Sequence, residues 1–97
     1  MSQAEARTRA EIHVGSERDG RVPVYLVGVW RSGMDRPRAR DIIPRIEEHK
    51  RPLTLEFHSE ELVDWDSGLL TFLLNLRDRC SERDIGLDTS GLPDGAR

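Results

Sequence analysis

The stretch VPVYLVGVW, residues 22–30, is the feature that most limits the fold. It carries no charge, and its apolar side chains fall on both faces of an extended chain. Val22, Val24, Leu26 and Trp30 share one face; Tyr25, Val27 and Val29 share the other. A strand of this kind belongs in the middle of a sheet, with both faces covered. Pro23 has no N–H to donate, so it belongs near the strand start or at an unpaired position. Upstream, Ala10, Ile12 and Val14 alternate with Glu11 and His13, the pattern of a half-buried strand. Between the two lies GSERDGR, a run of turn formers. Together they read as a hairpin.

After the hairpin, RSGMD breaks the pattern. Asp35 suits a helix cap and Pro37 a first turn. Ala39, Ile42, Ile43 and Ile46 recur at helical spacing, so a helix is expected over residues 36–49, bent or weakened at Pro44. LTLEFHS alternates again, with Leu53, Leu55 and Phe57 opposite Thr54, Glu56 and His58, giving a third strand. EELVDWD reads as a loop. It leads into the strongest helical pattern of the chain, residues 67–83, whose apolar stripe is Leu69, Leu70, Phe72, Leu73, Leu76 and Cys80. A short fourth strand follows at 85–88, and Pro93 opens a further helix of which only a turn is present. The expected fold is α/β: a mixed four-stranded sheet with helices, in the order β-β-α-β-α-β, with the final helix truncated and right-handed crossovers between parallel strands. One domain is expected over residues 10–97, preceded by a flexible N-terminus at 1–9. A lone turn past Pro93 has too few bonds to hold itself, so 93–97 are expected to be disordered.

The chain has 97 residues, enough for one modest core. Its net charge of −3 argues against a general nucleic-acid binder. The uncharged runs 22–30 and 67–76 are far shorter than the roughly 18 residues that span a bilayer, and the N-terminal residues lack the apolar core of a signal peptide. Cys80 is the one cysteine, so no internal disulfide forms, and a reducing cytoplasm is the expected compartment. Charge is unevenly spread. Residues 31–51 hold seven basic and four acidic residues, net +3, whereas residues 52–90 hold three basic and nine acidic residues, net −6. The bland reading is two solvated surfaces of opposite bias; the sharper one is an acidic half that faces a basic partner.

Little in the chain points to catalysis. His13, His49 and His58 lack metal-ligand spacing, and there is no phosphate loop or dinucleotide fingerprint. Cys80 falls on the apolar stripe and reads as a small core residue. Ser67 lacks the G-x-S-x-G elbow of a hydrolase nucleophile. No metal, no cofactor and no enzymatic activity are expected. Asp66-Ser67-Gly68 precedes the long apolar helix, where Asp or Ser is the expected cap. The alternative is that Ser67 accepts a phosphate that switches a binding surface.

The run WDSGLLTFLLNLRDRC followed by GLDTSGLPDGAR resembles STAS domains, most of all the N-terminal STAS domain of MlaE-type permeases of ABC lipid transporters, and more distantly the anti-sigma-factor antagonists. The resemblance covers residues 10–97 and is strongest over 53–97. It implies a non-catalytic cytoplasmic interaction domain at the inner face of the membrane, part of a longer permease, that contacts the transporter ATPase. The contact residues it suggests are Glu60, Glu61, Asp64, Trp65, Asp66 and Ser67, in the loop and first turn of the second helix. Trp65 reads equally as an exposed anchor and as a residue of the core edge. The antagonists are phosphorylated at the Ser of an acid-Ser-small-Gly-Leu motif, which maps onto Asp66 and Ser67. This chain departs at the next step, because Gly68 takes the small position and Leu69 falls where the family has Gly. The alternative implied is therefore an anti-sigma-factor antagonist switched at Ser67. A lipid- or nucleotide-binding module is a third reading that no residue pattern selects.

Overall fold

The computed structural model describes residues 9–33, 35–47 and 53–96. Four strands form one sheet in the order β1-β2-β3-β4: Glu11–Val14, Arg21–Trp30, Thr54–Trp65 and Gly86–Asp88. Strands β1 and β2 are antiparallel, with Val14 opposite Val24 and Glu11 opposite Val27. Their link closes at Arg18 and Arg21, which exchange backbone hydrogen bonds of 2.8 and 3.0 Å. Asp19 (φ 55°) and Gly20 (φ 80°) fill the two positions between, both left-handed. Asp-Gly is the pair that a two-residue hairpin turn of this hand requires.

The pairs β2–β3 and β3–β4 are parallel. Each is bridged by a helix: α1 (Ala39–Glu47) and α2 (Ser67–Ser81). Both crossovers step the same way across the sheet, so both helices cover the same face. That face carries Val22, Val24, Leu26, Trp30, Leu55 and Phe57, all essentially without solvent exposure. Ala39, Ile42, Ile43 and Ile46 of α1 and Leu69, Phe72, Leu76 and Cys80 of α2 close the core over it. At its centre Trp30 meets Phe72 edge-on, ring centroids 4.8 Å apart. The Trp30 indole N–H donates to the Val27 carbonyl at 3.1 Å, so the large ring is buried with its donor satisfied.

The structure bears out the element order and corrects several particulars. Strand β2 is central but covered on one face only: Tyr25 is 41% exposed, and Val27 and Val29 are half-buried. That second face is dressed by side chains instead of helices, with Tyr25 stacked on His58 at 4.8 Å. A sheet with an antiparallel edge tolerates one wet face. Helix α1 starts three residues later than expected and passes through Pro44. The last turn expected for that helix, with His49, and residues 1–8 of the expected N-terminal tail lie outside the described residues. Strand β3 does not stop at Ser59 but continues to Trp65. Where disorder was expected after Pro93, a 3-10 turn, Asp94–Ala96, sits against the fold, with Leu92 and Ala96 buried; Arg97 lies outside the described residues. The turn holds because it packs, which a propensity argument for an isolated turn leaves out.

Candidate functional site at the β3–α2 junction

The six residues expected at a contact surface lie on a different scaffold from the one the sequence suggests. Glu60, Glu61, Asp64 and Trp65 belong to β3 and not to a loop. The strand hides from a period-two reading because its pairing with β2 slips twice, once between Tyr25 and Val27 and once between Gly28 and Val29. Each slip inserts a residue and resets the alternation. After them Leu62 pairs with Gly28 and Trp65 with Trp30, on the helix side. Glu61 and Asp64 pair with Val27 and Val29, on the open side. Trp65 is half-buried against the core, and a Cβ placed on Gly95 would lie 2.8 Å from its ring. Trp65 is thus a residue of the core edge, covered by the 3-10 turn. Val63, which the sequence reading passed over, is 63% exposed.

Asp66 is the joint of the site. Its backbone N–H donates to the Trp30 carbonyl at 3.2 Å. Its Oδ1 accepts from the Gly68 amide at 2.8 Å, capping α2. The same oxygen accepts from the Ser32 amide at 2.8 Å, while Oδ2 accepts from the Ser32 hydroxyl at 3.4 Å. One carboxylate therefore starts α2 and fastens the chain leaving β2. The Gly68 and Ser32 amides hold the Asp66 carboxyl below the usual carboxylate range, because those donors favour the charged form. Arg31 lies between Asp64, with which it forms an ion pair, and Asp66, 3.8 Å away. Asp64 also accepts from the Trp65 amide at 2.9 Å through its other oxygen.

The cap is thus Asp66. Ser67 is the first helical residue, exposed, and its hydroxyl makes no hydrogen bond among the described residues. Gly68 is fixed by crowding: a Cβ would fall 2.5 Å from the Ser32 nitrogen and 2.7 Å from the Arg31 carbonyl carbon. The signal for this contact was present in RSG and DSG, two short small-residue runs, but nothing local says that they meet.

A second polar feature crosses the open face. The Arg21 guanidinium donates to Glu56 at 2.7 Å and to Asp88, joining β2, β3 and β4, and holds the Glu56 carboxyl low. Asp88 is held low first by Ser90, whose hydroxyl and amide donate to it at 2.7 and 3.0 Å. Among the described residues no group of His, Cys, Asp and Glu is placed to hold a metal ion, and no helix is long and apolar enough to cross a membrane. Comparison with family models, curated proteins and solved structures finds no match for the chain.

Proposed function

We propose that this protein is a non-catalytic interaction domain of the STAS type, and that the β3–α2 junction is its docking surface. The observation that carries the reading is the row of exposed side chains Glu60, Glu61 and Val63 along the second half of β3, with Ser67 at the start of α2, next to the joint that Asp66 makes between α2 and the chain leaving β2. An exposed apolar side chain on a strand segment that also carries the exposed carboxylates Glu60 and Glu61 suits a partner presenting a small apolar contact among basic residues. In the reading that the STAS resemblance favours, that partner is the ATPase subunit of an ABC-type lipid transporter, and the domain belongs to its permease. Trp65, half-buried against the core beside Gly95, is not the anchor.

The test is binding of purified transporter ATPase to the wild-type chain and to Glu61→Lys/Val63→Asp. Both side chains are exposed, so circular dichroism should be unchanged. Affinity should drop by about tenfold or more, the effect of losing roughly 1.4 kcal/mol at an interface. Equal affinity of the two proteins would remove the junction as the docking surface.

The exposed, unbonded hydroxyl of Ser67 at the first turn of α2 favours a second reading, an anti-sigma-factor antagonist. A phosphate there would meet the positive end of the helix dipole. Stoichiometric phosphorylation of Ser67 by an anti-sigma kinase, absent in Ser67→Ala, would select it.

A further inference from the structure

A second concave surface lies between the start of α1 and the middle of α2, apart from the junction. Its volume is about 860 Å³, and it is lined by Arg9, Arg36, Arg38, Arg40 and Arg79 with one carboxylate, Asp35, among them. The arginines come from three places: the entry to β1, the approach and first turn of α1, and the outer side of α2. None of the five guanidinium groups has a carboxylate partner among the described residues. The contrast with the rest of the chain is direct, for Arg21 engages two carboxylates and so does Arg31. Asp41, the nearest acid of α1, is turned to the Arg38 backbone amide, from which it accepts at 3.2 Å, and does not line the groove. Phe72, Ala39 and Pro37 give the groove an apolar floor, and Asn75 adds a neutral polar group to its wall.

Five like charges held around one concavity repel each other and raise the local potential well above that of a chain whose net charge is −3. Planar guanidinium forks match phosphate oxygens in pairs. The volume lies within the range of small-ligand sites and exceeds what a single phosphate fills. We propose that this groove binds a ligand carrying two or more phosphate charges, either a free polyphosphate compound or the headgroups of anionic lipids. The net +3 of residues 31–51 is then the mark of a ligand site and not only of a solvated surface. None of these arginines belongs to the β3–α2 junction, so the inference stands or falls independently of the docking reading.

The experiment titrates the protein with inorganic tripolyphosphate, and separately with vesicles of phosphatidylcholine alone or mixed with phosphatidylglycerol, following amide NMR signals of residues 35–40 and 71–79. Tripolyphosphate should shift those signals and bind about tenfold more weakly when salt is raised from 50 to 300 mM, as screening demands. Arg36→Gln/Arg40→Gln and, as an independent pair on different elements, Arg38→Gln/Arg79→Gln should each weaken binding by about tenfold, since each removes two charge-assisted contacts. Arg18→Gln/Arg45→Gln removes the same charge outside the groove and should stay within about twofold of wild type on the same principle. Binding of tripolyphosphate supports the proposal with a free ligand as source; binding only to phosphatidylglycerol vesicles supports it with a headgroup as source. Binding of neither, equal loss in the Arg18/Arg45 control, or tighter binding of a polyglutamate peptide than of tripolyphosphate would overturn it.

Discussion

Three neighbouring residues at the start of α2 do three different things, and each can be tested alone. Gly68 is there for clearance. Gly68→Ala adds a helix-favouring side chain, yet its Cβ would press on the Arg31–Ser32 backbone, which cannot step aside as a flexible side chain would. It should destabilise the fold by about 1–3 kcal/mol in urea unfolding, against the gain that helix propensity alone suggests. Ser67→Ala should stay within about 0.5 kcal/mol of wild type, because the hydroxyl is exposed and satisfies no backbone donor. Asp66 carries the cap and the tie to Ser32. Its folded-state pKa is lowered, so its charged form adds stability above the ordinary carboxylate pKa of about 3.9, and that stability is lost as pH falls through the lower folded value. Glu56 and Asp88 shift the same way. Stability should therefore fall steeply below about pH 4. Asp66→Asn keeps an acceptor for both amides but does not titrate there, so thermal melts from pH 2 to 6 should show a shallower acid slope for it than for wild type. Asp66→Ala should lower the melting temperature at every pH.

At the level of elements, what the sequence made legible was periodicity, and what it hid was contact. Helix α2 was plain because Leu69, Phe72, Leu76 and Cys80 recur at 3.6-residue spacing over about three turns. Strand β2 and the start of β3 were plain for the corresponding reason at period two. The second half of β3 was not, since two inserted residues break the alternation across SEELVDW. Glu60, Glu61, Asp64 and Trp65 were therefore placed in a loop, whereas they lie in β3. Arg31 and Ser32 were missed as partners of Asp64 and Asp66, because pairs more than thirty residues apart leave no local trace. Helix α1 shows the opposite conflict, with a local signal overridden by packing. Pro44 offers no N–H to the carbonyl of Arg40, yet Ile42, Ile43 and Ile46 are buried around it, and their burial outweighs the lost bond. Pro44 itself is exposed. Pro44→Ala should restore the donor without disturbing the core and raise stability by about 1–2 kcal/mol, less than the full helix-interior penalty because proline also restricts the unfolded chain.

Over the whole molecule, one core serves every element, so its buried groups report on global opening. Cys80 has no solvent exposure, and burial pushes its thiol up to about 11. The thiolate is the reactive species. Iodoacetamide at pH 8 should therefore leave the native protein unmodified and label it fully in denaturant, with labelling across a urea series tracking the unfolded fraction; rapid native-state labelling would show that α2 opens locally. The two tryptophans sit at opposite ends of that scale. Trp30 is sealed against Phe72 in the centre, whereas Trp65 lies half-buried beneath Gly95. The protein thus carries two optical probes, one for the core and one for its C-terminal cover. Emission from Trp65 should redden when residues 94–96 lift away, while Trp30 stays blue until the sheet and helices part. A single-tryptophan variant of each kind would turn the peeling of that cover, invisible to far-ultraviolet dichroism, into a colour change.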